Sequence, residues 1–143
     1  MHIRPFAPAD EATVIALWQA CGLTRPWNDP HKDIARKLGV HSQWFVVGKL
    51  PSPHGARQLV ASAMDGYDGH RGWVNYLAVH PEQRRQGLAS ALMAHLEAEL
   101  TAAGCPKLSL QIREGNEAVV GLYQALGYAV DPVVSMGKRL IAD

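Results

Sequence analysis

The residues best suited to chemistry sit in one stretch, "HPEQRRQGLASALM" (positions 80–93), where Arg84 and Arg85 precede Gly87 at the start of an apolar helical pattern. A turn that enters a helix N-terminus exposes backbone N–H groups with no intrahelical partner. They lie at the positive end of the helix dipole, where a phosphate or pyrophosphate fits. Gly87 removes the side chain that would block close approach, and small Ala89 keeps the first turn open. The two arginines can add charge-assisted contacts at the rim. The same residues also describe a solvated basic turn in front of a core helix, and the stretch alone does not separate the two. Other phosphate loops are excluded. No Gly-x-Gly-x-x-Gly follows a strand, and Gly137-Lys138 lacks the glycine and the Ser/Thr of a P-loop.

The rest of the composition narrows the field. The chain has 143 residues, read as a single domain over 1–143, with 14 Lys plus Arg against 13 acidic residues. So even a balance argues against a nucleic-acid partner, and an anion site must be local. No stretch has the apolar core of a signal peptide or the length of a membrane span. Cys21 and Cys105 stand far apart outside any Cys-x-x-Cys pattern, which predicts a reduced, cytoplasmic protein. The seven histidines form no helical i, i+4 ligand pair, so no metal is expected.

The elements that must position these residues follow from periodicity. "MHIRPF", "QWFVVGKL", "QLVASAM", "WVNYLAV" and "KLSLQI" read as strands, and "YAV" with "VVSMGKRLI" as a terminal strand pair. The apolar run "WVNYLAV" suits a central strand covered on both faces. Two Asp-Gly pairs in "DGYDGHRG" signal a hairpin. A first helix carries Val14, Leu17 and Trp18 on one face, and a second starts with Asp29 as N-cap and Pro30 as first helical residue. A helix from about Gly87 to Ala103 carries Leu88, Leu92, Leu96 and Leu100, and another runs from the cap Asn116 to about Leu126. Strand, helix, strand from Trp73 to Ile112 is a right-handed crossover with parallel strands. The fold class is α/β, or mixed-sheet α+β, with six to seven strands and about four helices.

Two segments carry a resemblance. "YLAVHPEQRRQGLASALM" resembles the acetyl-coenzyme A motif of the GNAT superfamily of N-acetyltransferases, whose Arg/Gln-x-x-Gly-x-Gly/Ala core appears as Arg84-Arg85-Gln86-Gly87-Leu88-Ala89. Downstream, "NEAVVGLYQALGY" resembles the second coenzyme motif, with Asn116, Tyr123 and the Leu-Gly-aromatic ending. "LTRPWNDP", "GYDGHRG", "GCPK" and "GKRLI" are similar to the YpeA-type branch, near the ribosomal-protein alanine acetyltransferases. The resemblance implies that the N–H groups of Arg85, Gln86, Gly87, Leu88, Ala89 and Ser90 hold the coenzyme pyrophosphate, with Arg84 beside them. It implies that the backbone of Leu77, Ala78 and Val79 meets the pantetheine arm where two parallel strands splay, with a strand N–H near Leu77 facing the oxyanion. Asn116, first of all a helix cap, becomes a coenzyme contact. Tyr123 would donate a proton to the departing thiolate, being protonated at neutral pH; its place in a stripe with Val119 and Leu126 also fits plain core.

The resemblance fails at the general base. Where alanine acetyltransferases carry Glu in "Leu-Glu-Val-Arg", this chain has Leu110-Gln111-Ile112-Arg113. An amide cannot accept the proton. Asp65, Asp68 and His70 are the nearby candidates, with turn formation an alternative for both aspartates. Deprotonating a lysine at pH 7 costs about 4.6 kcal/mol, against about 1 kcal/mol for an α-amine. An acceptor of low amine pKa, or a water relay, would therefore ease the loss. Arg25 and Trp27 are candidate acceptor contacts, or else loop and core-cover residues.

The expected function is transfer of acetyl from acetyl-coenzyme A, used as co-substrate, to a small-molecule or peptide primary amine by direct attack in a ternary complex. The alternative is a catalytically weak coenzyme-binding sensor or partner protein. No membrane partner is expected, and the chain is read as a monomer or homodimer.

Overall fold

Five of the anticipated strands join in one sheet. The computed structural model describes residues 1–143. Its strands are β1 (His2–Pro5), β2 (Phe45–Pro51), β3 (Arg57–Tyr67), β4 (Gly72–Val79) and β5 (Leu108–Leu110), ordered in space as in sequence. The first four pair antiparallel, and β4 pairs parallel with β5. Four helices accompany them: α1 (Glu11–Ala20), α2 (Pro30–Leu38), α3 (Leu88–Ala102) and α4 (Glu117–Ala125). Helix α3 is the connection that parallel neighbours require, since no hairpin can join them.

Each sheet face is sealed by a different helix set. Val14, Leu17 and Trp18 of α1 and Ile34 of α2 pack on Phe45, Val47 and Met64. On the other face Leu88, Leu92 and Leu96 of α3 pack on Val46, Val60, Ala61 and Ala63, while Met93 joins Val74 and Tyr123. The strand covered on both sides is β3, buried continuously from Leu59 to Asp65. The sequence pointed to β4 instead, but Trp73 there is 40% exposed. Within the β3 core Ser62 is fully buried and accepts the indole N–H of Trp18 at 2.9 Å, so neither polar group is orphaned.

Helix caps are mixed. Asp29 accepts the N–H of His31 at 2.9 Å as anticipated. Asn116 occupies the N-cap position of α4 but makes no side-chain cap bond.

Two sequence readings are corrected. Only Asp68-Gly69 turns the hairpin: Asp68 Oδ1 accepts the N–H groups of His70 and Arg71, both at 2.8 Å, and Gly69 has φ +92°. Asp65-Gly66 lies inside β3 opposite Val74 and Trp73, because ladder pairing with β4 outweighs local turn preference. The terminal strand pair is also absent, which leaves five strands rather than six or seven. Pro132 lacks a ladder donor. Side-chain ties hold the segment along other surfaces: Lys107 to Asp131 at 2.8 Å, Arg139 to Asn28 at 3.2 Å, and Arg36 to Asp143 at 2.6 Å. No helix is long and apolar enough to cross a membrane.

Candidate active site

The turn between β4 and α3 has the backbone of an anion seat. A short 3-10 turn, Pro81–Gln83, leads to extended Arg84; Arg85 then adopts φ +64° and Gly87 φ +74°. Gln86 between them is not left-handed. Alternation of this kind curls successive N–H groups toward one point, as in anion-binding nests. Gly87 is the N-cap of α3, and no side chain caps the helix. The orphan donors of the first turn therefore remain available. A Cβ built on Gly87 meets no atom within 4 Å, so the space beside the turn is open. Gln86 is engaged sideways, donating to Gln83 Oε1 at 2.9 Å.

From this turn β4 runs back along a seam. Its parallel pairing with β5 covers only Gly72–Val74 against Leu108–Leu110. From Asn75 to Val79 the edge of β4 facing β5 has no ladder partner, so its N–H and C=O groups can bind an extended ligand. A bulge sharpens the divergence: Ser62 pairs Ala78 and Met64 pairs Asn75, which sets Tyr76 and Leu77 against Ala63 alone. Tyr76 takes φ +52° there, uncommon for a bulky residue. Side chains of Leu77 and Val79 pack toward α3 and that of Ala78 toward α1. Packing and a backbone binding role are thus compatible.

Beside β5 lies a groove of about 1370 Å³, lined by Asn75, Leu110, Ile112 and Tyr123 among others. Two tyrosines meet edge to face near it, Tyr123 and Tyr128, with ring centroids 5.6 Å apart. They differ in commitment. Tyr128 donates its hydroxyl to Glu97 Oε1 at 2.7 Å. Tyr123 is 7% exposed, its hydroxyl has no protein partner, and burial pushes its pKa up to about 12. At neutral pH its hydroxyl is protonated and unpaired.

The remaining candidates fall in several places. Asp65 is 1% exposed, with Oδ1 accepting the Gly66 N–H at 3.0 Å and Oδ2 unpartnered. Burial pushes its pKa to about 7, only partly offset by that hydrogen bond and by Lys37. Asp68 is held below its usual value by the N–H groups of Arg71 and His70, and so serves its own turn. Gln111 is exposed and donates to Ser135. Arg25 donates to Gly22 and Thr24 carbonyls at 2.7 and 2.9 Å, closing its own loop. Trp27 is 54% exposed, with the Arg113 guanidinium 5.8 Å from its ring.

One cluster escaped the sequence reading. Tyr76 stacks on Trp18 at 3.9 Å and donates its hydroxyl to Asp33 Oδ2 at 2.6 Å. Asn28 donates to both the Tyr76 hydroxyl, at 3.2 Å, and Asp33. In the sequence Tyr76 stood only as a residue of the strand "WVNYLAV", and nothing linked it to residues more than forty positions away.

Comparison with known proteins places this geometry. The model of the acetyltransferase (GNAT) family matches residues 16–128. The chain belongs to the GNAT acetyltransferase family. An acetyltransferase of Yersinia enterocolitica is 49% identical over 143 residues, which span all of this chain and 98% of that protein. Among solved structures, the ribosomal-protein-S18-alanine N-acetyltransferase of Escherichia coli superposes with a TM-score of 0.67 at 25% identity, over 88% of this chain and 76% of that one. A NatC complex bound to Gag peptide and CoA gives 0.73 at 17% identity, over 87% and 82%. This GNAT acetyltransferase thus shares its fold with enzymes of that kind, as the two sequence motifs implied, and is itself an acyltransferase.

Proposed function

We propose that the chain transfers an acetyl group from acetyl-coenzyme A to a primary amine by direct attack in a ternary complex. The observation that carries this reading is the unpaired edge of β4 from Asn75 to Val79, which runs from the left-handed turn to the groove lined by Tyr123. The orphan N–H groups from Arg85 to Ser90, with open space at Gly87, fit a pyrophosphate. The edge of Leu77, Ala78 and Val79 that has no strand partner suits the amide-bearing pantetheine arm, the Val79 carbonyl excepted because the Cys21 thiol donates to it. The thioester carbonyl would lie in the seam, its oxygen receiving a strand N–H near Leu77. Asn116, with its side chain free of a cap bond, stands at the α4 N-terminus as a coenzyme contact.

The acceptor nitrogen attacks the carbonyl carbon, the carbon–sulfur bond breaks, and Tyr123 protonates the departing thiolate. An unpartnered, strongly protonated hydroxyl suits that step. No thiol is set up as an intermediate carrier: Cys21 donates to the Val79 carbonyl at 3.3 Å and Cys105 to that of Lys107 at 3.4 Å. The acceptor is a small-molecule or peptide amine, with Trp27 and Arg25 on the loop before α2 bordering its path, and the protein works in the cytoplasm as one domain. Initial rates with both substrates varied test the order of events. Intersecting double-reciprocal lines and no acetylated protein by mass spectrometry are expected. Parallel lines with an acetyl-enzyme would overturn direct attack.

A further inference from the structure

The acceptor reaction needs a proton sink, and Gln111 cannot supply one. A primary ammonium gives up two protons on becoming an amide N–H. One ends on the coenzyme sulfur, and the other must leave through the protein or solvent. Asp65 is sealed in the β3 core on the same face as α3, and Asp68 is spent on turn N–H groups.

The opposite face of the seam has a built alternative. Tyr76 immediately precedes Leu77 on the unpaired edge of β4, at the bulge that forces it into left-handed backbone. Such backbone is strained and persists only where the surroundings hold it. Here the stacked Trp18 ring holds it, together with hydrogen bonds that aim the phenol at a single carboxylate. Asp33 receives Tyr76 and Asn28 on Oδ2, and Arg36 approaches Oδ1 at 3.4 Å. Asn28 is itself held by Arg139 at 3.2 Å, while Asp143 engages both Arg36 and the Asp29 N–H. Lys32 of α2 also donates to the Asp143 carbonyl at 3.3 Å, Glu11 of α1 lies 3.7 Å from His31 of α2, and α1 sets the uncharged Trp18 against the phenol. Burial, followed by Asp33, drives the Tyr76 pKa upward, so the phenol does not ionise at neutral pH. It can act only by taking one proton while passing another on.

We propose that Tyr76 and Asp33 form the proton-accepting relay for the acceptor amine, on the face of the seam opposite Tyr123. The ammonium N–H proton moves to Tyr76 Oη as the Tyr76 proton moves to Asp33 Oδ2. The carboxylate becomes a carboxylic acid and the ammonium a neutral amine. The amine lone pair then forms the new C–N bond, and the C–S bond breaks with its electron pair on sulfur. The sulfur is protonated by Tyr123, which recovers its proton from the nitrogen as the amide forms, and Asp33 returns its proton to water. Tyr76 touches the substrate; Asp33 acts through it.

The inference rests on the acetyl-transfer reading, and one experiment separates their failures. The probe is a short peptide with a free N-terminal alanine and one internal lysine, and kcat/KM is followed between pH 5.5 and 7. With a working carboxylate sink the ammonium form is used directly, and log kcat/KM stays nearly flat. In Asp33→Asn and Tyr76→Phe only free amine reacts, so kcat/KM should rise about tenfold per pH unit below the amine pKa. At pH 6 both variants should fall by about 10²–10³, with coenzyme Kd unchanged, and Asp33→Glu should restore part of the flat profile. Should Asp33→Asn fail to fold, Tyr76→Phe gives the same slope test. Flat profiles in both variants, or a wild-type slope of one, overturn the relay while leaving acetyl transfer intact. Absence of acetylation at either peptide amine and across a panel of small primary amines overturns both.

Discussion

Gly87→Ala separates backbone strain from ligand binding. At φ +74° a Cβ costs about 1–2 kcal/mol against the following carbonyl, whatever the surroundings. No protein atom lies within 4 Å of that Cβ, so no packing clash adds to it. In a chain of this size the cost lowers Tm by roughly 2–8 °C. Gly22 provides a matched control: φ +69°, nothing within 4 Å, and a place just after α1, outside the α3 turn. Gly22→Ala should lose the same stability. The two variants should part company in coenzyme binding measured by titration calorimetry. A methyl group in the anion seat displaces one or two charge-assisted N–H contacts worth about 1.5–3 kcal/mol each, so Kd should rise roughly tenfold to a hundredfold. Gly87→Glu adds a like charge and should abolish binding, whereas Arg84→Ala should weaken it only about threefold to fivefold. Equal coenzyme affinity in Gly87→Ala and Gly22→Ala, or a larger loss in Arg84→Ala than in Gly87→Glu, would refute the backbone seat.

Three further outcomes follow from the same geometry. Tyr123→Phe removes a hydroxyl with no protein partner, so melting should barely change while kcat falls by about 10²–10³; an unaltered kcat would remove it from the chemistry. Ser62→Ala leaves the buried Trp18 indole N–H without an acceptor and should cost about 1–3 kcal/mol in urea unfolding, with coenzyme affinity intact. Asp65 has its folded pKa raised to about 7 above an unfolded value near 4, so the folded state binds the extra proton. Its contribution is therefore most favourable below about pH 4 and is lost as pH rises through about 7. Stability should fall over that window by an amount on the order of a few kcal/mol, and Asp65→Asn should flatten the fall; an unchanged pH profile in the variant would show the carboxyl is not the cause.

What was legible in the sequence is local. The turn before α3 could be read because its chemistry is carried by adjacent residues, Arg84 to Ser90, and by the alternation of strand and helix around them. The i+4 leucines of α3 and the Asp29 cap are of the same kind. Errors arose where tertiary pairing overrules a local signal. Asp65-Gly66 has the composition of a turn, yet pairing with Val74 and Trp73 makes it strand interior. The segment after Gly127 has strand-like residues, but Pro132 and the ion pairs of Asp131 and Asp143 hold it elsewhere. The Tyr76–Asp33–Asn28 cluster was out of reach because it depends on a bulge that no single-strand pattern reveals. Leu77, Ala78 and Val79 were nameable by resemblance, but only the early end of β4–β5 pairing gives a physical reason for their backbone to be free.

The central claim is acetyl transfer to an amine with Tyr123 as proton donor. The most direct measurement monitors thiol release from acetyl-coenzyme A and N-acetyl product by mass across a panel of primary amines, for wild type and Tyr123→Phe. The account predicts thiol and N-acetyl amine in equal amounts for at least one amine class, with the rate sharply reduced in the variant. Coenzyme binding without thiol release on any amine would contradict it and identify a binding protein instead.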